Sequence, residues 1–385
     1  MDSENMLFEV KNRFSQMFGH QPAGIVSAPG RVNLIGEHTD YNDGYVLPIA
    51  IGLRTLAAWS PREDGRVCFA SMQKPGEEIE IDLCEDITIG NPSWSNYPKG
   101  VTAGLLEINA PLVGCNILFN SDVPVGSGLS SSASLEIATG LTLLTAANMT
   151  IDKYQLALIC QKAEHEYAGT PCGIMDQAIS VLGQRNHALL LDCRNGQTTQ
   201  VPFNDPNVQL LVCDTQVKHE LSDGGYAARR DQCYQAAEIL GVDMLRDATE
   251  EMLAQSRDSL TDKQFMRARH VIGEIARTTS AVEALKNNDL NQFGKLMYLS
   301  HNSLRDDYEV SCDELDFIVD CAAKSQGVLG ARMTGGGFGG CAIVLVDNLN
   351  AAEVTRQIES KFKNEFGYDC AIFATQADQG ACVWE

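Results

Sequence analysis

From Gly24 to Trp59 and from Arg66 to Leu83, β-branched and apolar residues run in short stretches broken by turn sequences such as Asn42-Asp43-Gly44 and Glu63-Asp64-Gly65. That pattern predicts strands. A further strand is expected over Asn116 to Asn120 and another over Gln209 to Thr215, whereas Ser132 to Asn148 and Ile151 to Tyr167 read as helices. Helix-like stretches then run from Ala227 to about Ser325, and the apolar run CAIVLV follows a glycine-rich turn at Gly335 to Gly340. Strands and helices mix in both halves without strict alternation, which favours α+β over a doubly wound sheet. The 385 residues suffice for two cores. The turn-rich VPFNDPNV, Val201 to Val208, is the best boundary, dividing the chain into 1–203 and 204–385.

Composition narrows the function. No apolar run approaches the length of a membrane span, and MDSENMLFEVKNRF lacks a signal peptide's apolar centre, so a cytosolic location is expected. The 13 cysteines include no C-x-x-C pair and read as reduced, small apolar residues. With 29 basic against 51 acidic residues the formal net charge is −22, which repels nucleic acid and anionic lipid. A nucleotide could still bind through backbone donors, a few cations and a metal ion.

Four segments concentrate chemistry. Ala28 to Gly44 carries Arg31, Glu37, His38 and Asp40 at a density beyond what a strand end needs. A solvated hairpin end would account for any one of them, but together they suit a polyol, with carboxylates accepting from hydroxyls and cationic or imidazole N–H groups donating. Arg31 could also neutralise a transferring phosphoryl group. Asp122 to Glu136 leads from a strand through Gly126 and Gly128 into a helix opened by Ser130, Ser131 and Ser132. Glycines there let successive N–H groups converge at a helix amino terminus, which makes an anion cradle. It is neither a Walker A nor a G-x-G-x-x-G sequence. A serine-capped helix is the plainer alternative. Gly330 to Gly340 holds five glycines in its last six positions, and fits either a tight bend or a close approach to a ligand. Between these lie Glu164, late in a helix, and Asp176, just past Gly-Thr-Pro-Cys-Gly, one placed to hold a metal and the other to face a hydroxyl.

The four segments, in this order and spacing, resemble galactokinases of the GHMP kinase superfamily over essentially the whole chain. The most specific is Gly30-Arg-Val-Asn-Leu-Ile-Gly-Glu-His-Thr-Asp-Tyr-Asn42, joined by Cys172-Gly-Ile-Met-Asp-Gln177 and Met333-Thr-Gly-Gly-Gly-Phe-Gly-Gly340. The resemblance implies a two-domain GHMP kinase fold with the active site in the cleft between domains, using ATP and Mg2+ to phosphorylate the C1 hydroxyl of galactose, the first committed step of galactose use through the Leloir pathway. It places Asp176 at the hydroxyl and Arg31 beside the transferring phosphate. Glu37, His38, Thr39, Asp40, Gly173 and Tyr226 match sugar-binding positions. Gly126, Ser127, Gly128, Leu129, Ser130, Ser131 and Ser132 match the ATP loop, and Ser132 and Glu164 the metal ligands. An opposite charge nearby would favour the ionised form of Asp176. Trp94 and Tyr97 resemble an adenine-side segment, although core packing explains them equally well, and Pro98 departs from the family pattern in what should be a first helical turn. A monomer without protein partners is expected. An N-acetylgalactosamine kinase and a non-catalytic galactose and ATP sensor are the alternatives. Sensors related to galactokinases resemble enzymes that have lost residues in the serine loop, and this loop is unbroken. His270 and His301 read as structural.

Overall fold

The computed structural model describes residues 3–217 and 225–384. Among these residues three sheets form. The largest runs in the order Cys382–Val383, Gly24–Asn33, Pro48–Arg62, Gly114–Ser121, Arg66–Ser71, Ile79–Asp82, with a parallel pair only where Arg66–Ser71 meets Gly114–Ser121. Met6, Val10 and Phe14, spaced one helical turn apart on Ser3–Phe18, cover one face over Ile25, Leu56 and Leu118. On the other face, helices Asn96–Glu107, Ser131–Ala146, Lys153–Ala163 and Met175–Leu182 bury Val101, Leu105, Ile137, Leu156 and Ala178 against Val67, Ile117 and Phe119. Because both faces are covered, Gly24–Asn33 is buried along its whole length.

A second, antiparallel sheet has the order Val328–Thr334, Cys341–Asp347, Val208–Asp214, Ala371–Thr375. Helices Gly225–Leu240, Asp262–Lys286, Asp313–Ala323 and Ala351–Phe366 close a core over it. A small third sheet joins Tyr45–Val46, His187–Asp192 and Thr198–Pro202. This is a mixed α+β architecture, as the strand and helix pattern predicts. One apolar cluster crosses between the two large sheets. It packs Val32, Ile49 and Ile51 of the first with Leu210, Val212 and Ile343 of the second, beneath Phe293 and Met297.

Two local features position chemistry. The ladder between Gly24–Asn33 and Pro48–Arg62 slips between Pro29 and Arg31, and such a bulge re-aims the side chain that follows it. The expected single helix over Ile151 to Tyr167 ends early instead. Asp152 caps its start by accepting from the amides of Tyr154 and Gln155 at 2.9 and 3.0 Å, the α-helix stops at Ala163, and a π turn over Glu164–Ala168 follows, closed by Gly169 at φ 73°. A π turn shifts the helical register, and Glu164, the first residue of this one, is buried.

The chain's end returns to the first sheet, with Val383 beside Val26 and Cys382 beside Ser27. Arg54 holds it there by donating to the carbonyls of Gln379 at 2.9 Å and Gly380 at 3.0 Å and to Asp378 Oδ2 at 3.2 Å. Arg54 is itself buried, so truncation removes the bonds and leaves three acceptors behind. Arg54→Met is expected to lower the unfolding free energy by about 3 kcal/mol, read as a shift of the urea midpoint at constant slope.

Candidate active site

Arg31 emerges from the bulge nearly buried, and its flat guanidinium meets three elements. Nε donates to Asp176 Oδ1 at 2.8 Å and one terminal nitrogen to Oδ2 at 2.6 Å, a two-pronged pair; the other terminal nitrogen donates to the carbonyl of Gly128. Fork-to-carboxylate geometry fixes direction as well as distance. Asp176 is the second residue of Met175–Leu182, and its Oδ2 also accepts from Ser130 Oγ at 2.5 Å. Ser130 sits at the amino terminus of Ser131–Ala146, yet its hydroxyl does not cap that helix. Its backbone holds a left-handed φ of 63°, which is uncommon without glycine. The serine-cap explanation therefore does not describe Ser130. Its side chain serves the carboxylate.

The loop before it turns through Gly126 and Gly128 at φ 79° and 78°. The loop is braced from below, because the Arg31 amide donates to the Leu129 carbonyl at 3.1 Å and Leu129 is fully buried. A Cβ on Gly30 would stand 2.6 Å from that same oxygen, so only glycine lets the strand approach. Ser127 Oγ turns back to the Pro124 carbonyl at 3.0 Å.

The Ser132 hydroxyl lies near the Glu164 carboxyl and favours its ionised form. Burial first, and the charge of Asp176 second, push the Glu164 carboxyl up to about 6. Gln177 Nε2 donates to Glu164 Oε2 at 2.7 Å and to Glu136 Oε2 at 3.0 Å. Glu136 is fully buried, and burial together with Glu164 raises its carboxyl far above the ordinary range. Among the described residues no group of three or more His, Cys, Asp or Glu converges on one metal position. The adjacent hydroxyl and carboxylate nevertheless match the chemistry of a magnesium site that takes its other oxygens from phosphates and water.

On the far side of Asp176, Asp40 lies against Gly173, where a Cβ would fall 1.6 Å from Asp40 Oδ2. Gly173 is thus the space the carboxylate occupies. Burial, then the charge of Asp176, push Asp40 up to about 7. The rings of His38, Tyr41 and Tyr226 cluster beside it, with centroids 5.4 to 5.9 Å apart. Thr39 Oγ1 lies 2.7 Å from the Tyr45 carbonyl and 2.9 Å from that of Gly36, so it braces the turn. Glu37 is turned into the junction between the halves. It accepts from Asn33 Nδ2 at 2.6 Å, the Gly335 amide at 2.7 Å and Arg332 at 2.8 Å. Every partner is a donor; burial pushes the Glu37 carboxyl up, and Arg332 and the Gly335 amide pull it back toward the ionised form. Arg332 and Glu274 are both fully buried; Arg332 lies in the third glycine-rich segment but nothing there marks it as a working residue, and Glu274 carried no sequence signal at all. Glu274 accepts from the Gly36 amide at 3.0 Å, Ser300 at 2.6 Å and Arg277 at 2.7 Å; burial would raise its carboxyl, but the charges of Arg277 and Arg332 outweigh it and hold Glu274 down to about 2.

The third segment's glycines serve close packing of backbone on backbone. A Cβ on Gly340 would meet the Ser127 carbonyl at 2.8 Å, one on Gly337 the Val310 carbonyl at 2.3 Å, and one on Gly335 the Gly128 carbonyl at 3.2 Å. This segment is the wall that carries the glycine and serine loop.

A family model described as the galactokinase galactose-binding signature matches residues 12–61, and models of the GHMP kinase N-terminal and C-terminal domains match residues 96–184 and 281–364. The chain is 45% identical to a galactokinase of Homo sapiens over 384 residues, 98% of this chain and 96% of that protein. It belongs to the galactokinase family. It is also 43% identical to a Streptomyces coelicolor galactokinase, over 92% of each chain. A solved Lactococcus lactis galactokinase complexed with galactose superposes with a TM-score of 0.94 at 34% identity, covering 98% of this chain and 99% of that one. A Methanococcus jannaschii mevalonate kinase, at 21% identity, 92% and 98% coverage and TM-score 0.64, shares the fold.

Within this galactokinase-family chain Trp94 donates to Glu77 at 2.9 Å and packs edge-on to Phe119, a structural setting. Tyr97 is closer to the chemistry. Burial, then Glu164 and Glu136, push its hydroxyl up to about 12. Pro98 is the third residue of Asn96–Glu107, in the first turn as expected, where no amide bond is lost. His270 bonds Ser303 and the Glu37 carbonyl at 2.9 and 3.1 Å, and His301 Nδ1 accepts from the Met333 amide at 3.2 Å.

The raised Asp40 carboxyl predicts a pH signature. Asp40 keeps its proton more tightly folded than unfolded, so its contribution to stability is intact in acid and is lost as pH climbs from about 4 toward 7. Asp40→Asn is therefore expected to melt above the wild-type protein at pH 8, without sugar, and the gap should close by about pH 4. Thermal denaturation at both pH values checks this, and a pH-independent gap would contradict it.

Proposed function

We propose that the protein transfers the γ-phosphate of MgATP to the C1 hydroxyl of α-D-galactose, forming galactose 1-phosphate and ADP. The observation that carries this reading is the Asp176 carboxylate gripped by Arg31 and Ser130, at the head of the serine-rich helix and beside Asp40. Curated relatives named galactokinase and a galactokinase structure holding galactose support the substrate. Phosphoryl transfer relies on positioning and charge neutralisation. In this reading the amides of Gly126 to Ser132 cradle the phosphates. Asp40, Gly173, His38 and Tyr226 border the sugar, while Glu37 and Thr39 shape the turn that presents them.

Asp176 orients the C1 hydroxyl and receives its proton as the oxygen bonds to the γ-phosphorus and the bond to ADP breaks. Arg31, already paired to Asp176, offsets charge building on the phosphoryl oxygens. Magnesium held by Ser132 and Glu164 would neutralise the phosphates. The shared fork means Arg31 and Asp176 cannot be displaced independently.

The test is ADP release from MgATP with galactose, N-acetylgalactosamine, glucose or mevalonate as acceptor, with the product identified by NMR. Galactose should give a C1 phosphate. Asp176→Asn, which keeps the side chain's shape but turns one of the two oxygens facing Arg31 into a donor, is expected to lower turnover by about two to four orders of magnitude with galactose still bound, and near-normal turnover would remove Asp176 from the mechanism. Glu164→Gln is expected to raise the magnesium concentration for half-maximal rate and weaken Mn2+ binding. Unchanged titrations would move the metal elsewhere.

A further inference from the structure

His38 has both ring nitrogens occupied. Nδ1 lies 2.7 Å from the Tyr41 hydroxyl and Nε2 lies 3.2 Å from the Gly336 carbonyl. Behind Tyr41 the row continues. Its hydroxyl is 2.8 Å from that of Tyr308, which is 3.1 Å from Cys233 Sγ. Every member is buried, Tyr308 and Cys233 fully, so water does not enter the count.

Donor bookkeeping gives this row one direction. A carbonyl only accepts, so Nε2 must bear a proton. Burial, then His270, hold the imidazole down to about 3, so the ring is neutral and has one proton. Nδ1 is therefore an acceptor, and Tyr41 donates to it. The Tyr41 oxygen then accepts from Tyr308, and the Tyr308 oxygen from the Cys233 thiol. Tyr308 is placed by Arg229, which donates to its carbonyl and to that of Glu309, both at 2.7 Å, and its ring lies 4.7 Å from that of His38.

We propose that Tyr41 and Tyr308 are positioning residues for the sugar site: their one-way row of hydroxyls holds His38 with its only proton on Nε2, so that His38 meets the sugar solely as a donor. In the free protein the Gly336 carbonyl occupies that N–H, and a sugar oxygen takes its place on binding. The inference rests on the reading of His38 as a sugar neighbour. It adds which way the hydrogen bond points and which distant hydroxyls set it.

Nitrogen NMR of histidine-labelled protein tests the row directly. The wild-type His38 ring should be the neutral Nε2–H form with a hydrogen-bonded Nδ1. In Tyr41→Phe the Nδ1 resonance should move to that of a free acceptor, and the galactose KM should rise roughly tenfold with kcat little changed. Tyr308→Phe should move both readouts the same way but less, since one further bond separates it from the ring, and it serves if Tyr41→Phe folds poorly. A proton on Nδ1 in the wild type overturns the proposal. So does a shifted Nδ1 with unchanged KM in Tyr41→Phe while His38→Ala raises KM. If His38→Ala also leaves KM unchanged, the placement of His38 at the sugar has failed, and the positioning role with it.

Discussion

A buried guanidinium has to be satisfied on every side, and the site is organised around that demand at Arg31. Desolvating the charge is costly unless its donors find acceptors with good geometry. Here the acceptors are the two oxygens of Asp176 and the carbonyl of Gly128. One side chain consequently ties a central strand, the glycine and serine loop and the helix bearing Asp176. A shift of any of the three would orphan a charge, and this rigidity holds reacting groups in register.

A second buried network does the same between the halves. Glu37 leaves the turn after the central strand and meets Arg332 of the second sheet, while Gly36 reaches Glu274 of the long Asp262–Lys286 helix. Apolar packing across the same junction, Val32 and Leu34 on Val212 and Ile343, supplies affinity without direction. The charged groups supply direction. They explain why two of the conspicuous polar residues in the first segment, Glu37 and Thr39, spend their hydrogen bonds on the protein.

The open side of the site is acidic. Asp176, Asp40, Glu164 and Glu136 lie close together: burial first raises the carboxyls of Asp40, Glu164 and Glu136, and the second cause is the charge of Asp176 for Asp40 and Glu164 and that of Glu164 for Glu136. Such crowding destabilises the empty site and favours whatever brings hydrogen-bond donors or positive charge into it. A sugar supplies the first and a metal-bound nucleotide the second.

The sequence by itself determined the α+β class, the strand leading into the glycine and serine loop, the helix behind it and the four segments where charged residues and glycines concentrate. Those are local matters of periodicity, turn chemistry and residue type. It also singled out Arg31, Asp176, Asp40, Ser132 and Glu164, because polar and charged groups crowded near glycine turns exceed what a turn needs. Only the tertiary structure decided which partners they have. The third segment's glycines were compatible with a ligand or a bend, and the fold assigns them to backbone contacts with Ser127, Gly128 and Val310. Glu136, Gln177, Glu274, Tyr308 and Arg332 were unremarkable in their own surroundings, since a buried polar residue is defined by a partner that can lie hundreds of positions away, as Arg332 does from Glu37. Local propensity acts over a few residues, whereas the pairing of buried charge is settled only when the chain has closed around it.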